Sequence, residues 1–552
     1  MTVYLLLSDR EPPFEILRRR LSSESRKVFV VVLSESLPVQ EILKRASLSL
    51  SEPLSGFEQM PGIHRIECLG ATLLLSRMSR DEFRKSAEVF PDVVIDDSLD
   101  QAGLLKRLMA KGAFLVCSQR PKAVPPFLVE TSEGFRLKFL PPSLQRQTEK
   151  MSESSVLIVG AGLAGCMVAW ELSKRGFQTT VIDGGMVAGS AASALYAGLI
   201  HPHWQASDSP LFQLTRQGFS AMQALLRRFP SAFLPVGVVD AASSEDEFER
   251  WKRAYAEGRP IPMSSEFATL LSREEANHLT GLTLSRGGWY FPKAGLVHAG
   301  QLCRQLLEES GAIVIPNTKV RLIREGNLWT AVNDWGDAVA RASKAVVAAA
   351  LGSSEVLGVP RHWLGMSGLY GRISLLRDTD LPGLSTALTG DGYIAKTKDG
   401  FCAVGATYEP GEERRLSVAE AHSHNLSTFT KLTGTMPSVI ARGFYEGIRA
   451  VAQDRMPLVG RGLTQTELRG LQFKGVPEVR AIPRADNLWL CTGFGSRGIT
   501  WGLACAEALA SEMAEEPQTL TRALKASLDP ARFMPKILGM NRTGGKKSVS
   551  GN

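Results

Sequence analysis

The stretch Val156-Leu157-Ile158-Val159-Gly160-Ala161-Gly162-Leu163-Ala164-Gly165 decides the fold of the larger part of this chain. Its first four residues are a short continuous apolar run, as a strand buried on both faces of a parallel sheet requires. The run leads directly into a G-x-G-x-x-G pattern. Apolar residues at Leu163, Met167, Val168, Trp170 and Leu172 predict a helix that opens inside that pattern. Gly176 ends the helix, and Thr179-Thr180-Val181-Ile182 predicts a second strand closing on Asp183. Each glycine has its own physical reason. Gly160 permits a tight turn, Gly162 lets backbone approach a pyrophosphate, and Gly165 lets helix and strand pack closely. The helix N-terminus offers unpaired N–H groups and the positive end of its dipole to phosphates. Asp183 stands where an acid accepts hydrogen bonds from an adenosine ribose. The reading is a dinucleotide-binding unit contacted by Gly160, Ala161, Gly162, Ala164, Gly165 and Asp183. The motif itself does not choose between FAD and NAD.

Outward from this unit the chain separates into regions. Residues 1–140 alternate short apolar or β-branched runs (28–33, 93–95, 114–116, 127–129) with helical stretches (15–20, 104–111), the alternation of an α/β sheet. Residues 141–155 are polar with two prolines and read as a linker. Residues 156–536 form the large second unit, and 537–552 read as a basic flexible tail.

Composition narrows the function classes. With 44% hydrophobic and 22% charged residues the chain reads as an ordinary globular protein. Its seven cysteines are scattered, with no C-x-x-C pair and no His/Cys metal spacing, so neither a disulfide framework nor a metal site is expected. No apolar run reaches the ~20 residues of a membrane span, and the N-terminus lacks a signal-like apolar core, which together predict a cytoplasmic protein. The net charge of +8 is compatible with a polyanionic partner without requiring one.

From residue 156 onward the chain resembles the D-amino-acid-oxidase-like family of flavoproteins. Within that family it resembles the FAD modules of bifunctional enzymes that build 5-methylaminomethyl-2-thiouridine in tRNA. The segments that carry the resemblance are 189–202 (GSAASALYAGLIHP), 287–301 (GGWYFPKAGLVHAGQ), 344–352 (KAVVAAALG), 390–407 (GDGYIAKTKDGFCAVGAT), 447–460 (GIRAVAQDRMPLVG), 492–500 (TGFGSRGIT) and the ending 528–533 (LDPARF). The fold it implies is α/β: a Rossmann-like FAD domain (about 156–204, 291–359 and 441–536) with an inserted sheet-based substrate domain (about 205–290 and 360–440). FAD is the implied cofactor. Further implied cofactor contacts are Gly198, Gly352 and the turn Gly495, Ser496, Arg497, Gly498, Ile499 and Thr500.

For substrate, the resemblance points to Arg449, in Gly447-Ile448-Arg449 ahead of Asp454-x-x-Pro457-x-x-Gly460. Its planar, permanently charged fork suits a carboxylate. Tyr393, a second catalytic candidate, and Arg497 are secondary candidates, and Arg372, in Gly371-Arg372-Ile373, is a further one. His201 and His203 flank the flavin-facing segment; a lone His is more often structural, and they receive no catalytic role. The implied reaction is oxidation next to an amine. On tRNA the substrate is the carboxymethylaminomethyl arm of wobble uridine, with glyoxylate released and aminomethyl-uridine left. The alternatives are an oxidase of free small amines such as glycine, and a non-catalytic tRNA-binding relic.

In 1–140 the segments 61–66 (PGIHRI), 93–97 (VVIDD) and 112–116 (GAFLV) resemble an eroded S-adenosylmethionine-dependent methyltransferase. Such enzymes need a Gly-rich loop after the first strand so that backbone can approach the cofactor. Here the first strand, 3–7, is followed by Ser8-Asp9-Arg10-Glu11-Pro12-Pro13-Phe14, and no glycine occurs before Gly56. Glu35 is a counterpart of the ribose-binding acid. The reading is a degenerate Rossmann-like domain without SAM binding.

Overall fold

A computed structural model describes residues 154–194, 197–259, 264–434, 439–469 and 475–540, and in the N-terminal region 2–6, 11–22, 27–34, 37–51, 60–69, 71–79, 82–83, 93–96, 114–117, 128–131 and 134–137. Contacts divide the chain into two compact units. One comprises Met1–Ser152 with Gln223–Arg228 and Ser511–Leu524; the other comprises Glu153–Met222, Phe229–Ala510 and Lys525–Asn552. Among the described residues no helix is long and apolar enough to cross a membrane.

The first unit holds an eight-stranded sheet. Its centre is parallel: Ala71–Ser76, Val28–Leu33, Thr2–Leu6, Val93–Asp96 and Phe114–Cys117 lie side by side in that order. The chain runs outward in one direction from Thr2–Leu6 and then resumes on its other side, the doubly wound arrangement of a Rossmann-like domain. Antiparallel Ile63–Cys68 closes one edge and the hairpin Leu128–Thr131/Gly134–Leu137 the other. The all-buried run Val28–Leu33 sits at the centre, as its uninterrupted apolar character requires. The strand predicted at 3–7 is observed as Thr2–Leu6, and the helix predicted at 15–20 as Glu11–Leu21. The helix predicted at 104–111, Glu35 and the loop residues 7–10 lie outside the described residues.

In the second unit a six-stranded sheet runs Ile313–Ile315, Gln178–Ile182, Ser155–Val159, Lys344–Val347, Leu488–Thr492 and Leu458–Arg461, parallel except for the last. The helix Leu163–Ser173 is apolar almost all round, because one side covers this sheet and another packs on Ala299–Ser310. A second, mostly antiparallel sheet combines Val238–Ala241 and Gly288–Phe291 with Ala387–Thr389, Tyr393–Lys396, Phe401–Gly405 and the twelve-residue Met366–Arg377. Gly443–Ala452 pairs along Met366–Arg377 over its whole length. The expectation that 441 onward belongs with the nucleotide part does not hold for this strand, which the ladder joins to the sheet of Met366–Arg377. At the C-terminal end, the helix Met534–Met540 begins before residue 537 and occupies the start of the expected tail. Ser155 opens a strand rather than ending the linker, and 141–153 and 541–552 lie outside the described residues.

Candidate functional site

The glycine loop follows the sterics anticipated for it. Gly160 has φ +112°, and a Cβ there would lie 2.5 Å from the Ala348 carbonyl oxygen. A Cβ on Gly165 would lie 1.8 Å from the Gly160 carbonyl oxygen, so only glycine lets the helix begin this close to the strand. Gly162 differs: its Cβ would meet only the Ser193 hydroxyl, at 3.4 Å. The space above Gly162 is therefore open on the side where a pyrophosphate would approach. Asp183 accepts hydrogen bonds from the Ala161 and Gly185 N–H groups, both at 2.6 Å, and so buckles the two loop turns together. A ribose would use the remaining lone pairs of the same carboxylate.

A cavity of about 360 Å³ opens from this loop. Its wall contains Gly162 and Ala164, Gly198, Tyr393, Arg449 and the turn residues Gly495, Ser496, Gly498 and Ile499. Segments distant in sequence thus converge on one space. Gly198 is fitted to this turn, since a Cβ on it would lie 2.2 Å from Ile499 Cδ1. The turn is tied to the strand that bears the arginine: Gly495 N–H donates to the Ala450 carbonyl at 2.8 Å, and Gly495 itself has φ +57°. This set fits FAD: an open glycine cradle at one end, and at the other a glycine turn leading into the helix Gly498–Met513.

Arg449 donates from Nη1 to the Ser496 hydroxyl at 3.1 Å and lays its guanidinium 4.9 Å from the Tyr408 ring centre. Neither contact is an acid, so its charge remains available to an incoming anion. The Tyr393 hydroxyl is shielded from solvent and has no hydrogen-bond partner among the described residues. Burial pushes this phenol above its ordinary range while the nearby Arg449 opposes the rise. It stays protonated and is free to donate.

Other predicted residues have different positions. Gly352 lies outside the cavity wall, which Ala348 and Ala350 form instead. Thr500 is buried, with its hydroxyl directed at the His201 carbonyl at 3.4 Å. Arg497 stacks on Trp501 at 5.2 Å, and its buried Nε has no partner among the described residues. Arg372, a further substrate candidate, is fully buried and structural. It donates to Glu446 from Nη2 at 2.7 Å and to the Ser417 carbonyl at 3.2 Å. Arg372 and Glu446 are cross-strand partners in register, and Arg449, an odd number of residues further on, projects from the other face of the sheet.

Sequence reasoning passed over one cluster. His201 and His203 line the cavity, and together with Asp240 they bring potential ligand atoms within 4.8 Å of one another. Burial pulls His201 down to about 4 and His203 well below its usual range, with Arg497 contributing in both cases. Burial, with Glu247 nearby, pushes Asp240 up to about 7. Both histidines are therefore neutral imidazoles, and Arg449 is the arginine of the cavity wall, which also carries the acids Asp391 and Glu446. Individually each histidine was unremarkable in sequence; only the fold joins them to Asp240.

Comparison with known proteins agrees with this geometry. The family described as FAD dependent oxidoreductase matches residues 155–512. The tRNA 5-methylaminomethyl-2-thiouridine biosynthesis bifunctional protein MnmC of Burkholderia orbicola (strain MC0-3) is 30% identical over 518 residues, covering 88% of this chain and 80% of that protein. Its Burkholderia mallei (strain SAVP1) counterpart is 33% identical over 405 residues, 70% of this chain and 60% of the relative. Among solved structures, glycine oxidase from Geobacillus kaustophilus superposes with a TM-score of 0.56 at 22% identity, covering 68% of this chain and 98% of that one. Iminodiacetate oxidase from Chelativorans sp. BNC1 gives a TM-score of 0.53 at 19% identity, covering 66% and 96%. At such identities these two likenesses speak for the fold.

Proposed function

Because this chain belongs to the FAD dependent oxidoreductase family, and within it to that of the tRNA 5-methylaminomethyl-2-thiouridine biosynthesis bifunctional proteins, we propose that it oxidises the carboxymethylaminomethyl arm of wobble uridine in tRNA. The enzyme is an FAD-dependent oxidoreductase acting on CH–NH groups; bound FAD supplies the hydride acceptor. The observation that carries the finer reading is Arg449, which among the described residues has no acidic partner, beside the Tyr393 hydroxyl, which among them has no hydrogen-bond partner, in the cavity that meets the glycine loop. The arm is an N-substituted glycine. Arg449 would hold its carboxylate and Tyr393 would donate a hydrogen bond to it, which fixes the carbon between nitrogen and carboxylate. Loss of hydride from that carbon leaves a C=N bond. Water then cleaves it, releasing glyoxylate and leaving aminomethyl-uridine. A wobble base already lies in a loop and reaches a pocket without melting a duplex.

Mass spectrometry of wobble nucleosides from cells lacking the protein tests this. Accumulated carboxymethylaminomethyl-uridine is expected, and an unchanged nucleoside profile would overturn the reading. An oxidase of free glycine-like amines would instead leave tRNA unaltered and reduce its flavin only with small substrates.

We further propose that the N-terminal unit no longer methylates. The strand Thr2–Leu6 and the helix Glu11–Leu21 are joined without glycine, and Pro12 and Pro13 occupy the helix's first turn. That leaves no glycine backbone for a nucleoside cofactor to approach. Saturable SAM binding by calorimetry, with methyl transfer to aminomethyl-uridine tRNA, would refute this.

A further inference from the structure

The cavity has an aromatic residue at its wall that the oxidation itself does not require. Tyr408 lines the cavity yet is 55% exposed. One face of its ring carries the Arg449 guanidinium at 4.9 Å, so the exposure belongs to the opposite face and the edge. The ring is not on a loose loop. The preceding residue, Thr407, is buried; its N–H donates to the Arg372 carbonyl at 3.0 Å, and its hydroxyl accepts from the Arg372 N–H at 2.9 Å. The following residue, Glu409, is also buried and accepts from the Arg415 and Leu416 N–H groups at 2.8 and 2.9 Å. An apolar ring held in water by two buried, hydrogen-bonded neighbours is a preorganised surface.

We propose that Tyr408 is a nucleobase subsite, the platform on which the base bearing the oxidised arm stacks. The inference rests on the tRNA reading above and names how that substrate is recognised. The geometry has the right scale. Four bonds separate the ring carbon of such a base from the carboxylate carbon of its arm, roughly 5 Å when extended. A base tethered through a carboxylate at Arg449 therefore falls within stacking range of the ring that lies directly against Arg449. Every base has a π-face, and an exposed, positioned aromatic is how single-stranded nucleotides are commonly held. Arg415, in the same segment, is exposed and adds positive charge to it.

The test compares FAD-loaded Tyr408→Ala, Tyr408→Phe and Tyr408→Trp with wild type. Two readouts are needed: the dissociation constant for tRNA carrying the carboxymethylaminomethyl arm, and the ratio of kcat/KM for that tRNA to kcat/KM for sarcosine, which has the carboxylate and amine but no base. Tyr408→Ala should weaken tRNA binding and lower the ratio roughly 10- to 100-fold, while Phe and Trp restore both. A Tyr408→Ala enzyme with wild-type tRNA affinity and ratio overturns the subsite while leaving the tRNA reading intact. An unchanged ratio with both substrates equally impaired also overturns it, because Tyr408 would then be a prop for Arg449. A wild-type enzyme that oxidises sarcosine but never the tRNA overturns the underlying reading, and the subsite with it.

Discussion

Arg449 lies directly over Gly371: a Cβ on that glycine would come within 2.1 Å of Arg449 Nη2. Gly371 and Gly447 face each other across the two strands, so neither contributes a side chain beneath the guanidinium. The guanidinium is the movable partner in the closest clash; the Thr407 carbonyl oxygen, 2.8 Å from the same Cβ, is backbone and adds a smaller strain of its own. Gly371→Ala should therefore displace the guanidinium and lower kcat/KM for the carboxylate substrate roughly 10- to 100-fold, the scale of a lost charge-assisted hydrogen bond. Flavin content should be retained. Gly371→Ala combined with Arg449→Ala should be no worse than Arg449→Ala alone, since both act through one group. Additive losses in steady-state kinetics would show that Gly371 acts elsewhere.

The glycine loop separates two kinds of glycine. Gly165→Ala sets a methyl group 1.8 Å from a backbone carbonyl that cannot move aside, and should give colourless protein of much reduced stability. Gly162→Ala meets only a hydroxyl at 3.4 Å, so the chain should fold with a melting temperature near that of the wild-type apoprotein. It should nonetheless bind FAD more weakly, because the methyl group enters the space above the loop. The 280/450 nm absorbance ratio and thermal denaturation of the two variants distinguish these outcomes. Equal flavin loss with equal destabilisation would contradict the assignment.

How much of this was legible in sequence depends on how far apart the cooperating residues lie. In the loop from Gly160 to Gly165 the glycines obey local steric rules, and the adjoining strands are legible to within a residue, whereas the helix stops at Ser173, short of the Gly176 expected to end it. Arg449 was reached through a distributed resemblance. Ser496, Gly371 and Tyr408, which hold and flank it, come from other segments, and no local period marks them. Arg372 was misjudged for a related reason. Which face of a sheet an arginine takes depends on its register with a partner strand, here the pairing of Arg372 with Glu446.

That pairing makes Arg372 a stability residue. Replacing it with Met removes the buried partner of Glu446, whose side chain stays one-third exposed and keeps Arg414. The loss should be about 2–4 kcal/mol, at or below the usual cost of breaking a buried pair because Glu446 retains water and a second cation. Sarcosine KM in the surviving folded protein should match wild type. A raised KM without destabilisation would return Arg372 to the substrate site.

Tyr393 offers the converse test. Its hydroxyl satisfies no partner among the described residues, so Tyr393→Phe removes a desolvated polar group and breaks no bond. Unfolding free energy should be unchanged or higher by about 1 kcal/mol. The KM for sarcosine should rise if the hydroxyl donates to the substrate carboxylate, as proposed above. A destabilised variant with normal KM would mean that the hydroxyl is bonded within the protein.

The histidine–aspartate cluster sets opposing pH dependences. His201 is held at about 4 against 6.5 in the unfolded chain. As pH falls from about 6.5 to 4 the unfolded chain takes up a proton that the folded chain refuses, so this term costs stability on the acid side. Asp240 is held at about 7 against 3.8. Between those values the folded carboxyl keeps a proton that the unfolded chain has released, so this term costs stability as pH rises from about 4 to 7. Asp240→Asn removes only the second cost. Its melting temperature relative to wild type should therefore improve from about pH 5 to pH 8, whereas that of His201→Gln should improve in the opposite direction. Differential scanning fluorimetry across that range reads both. Variant and wild-type curves that stay parallel would show that neither group is desolvated as the fold implies.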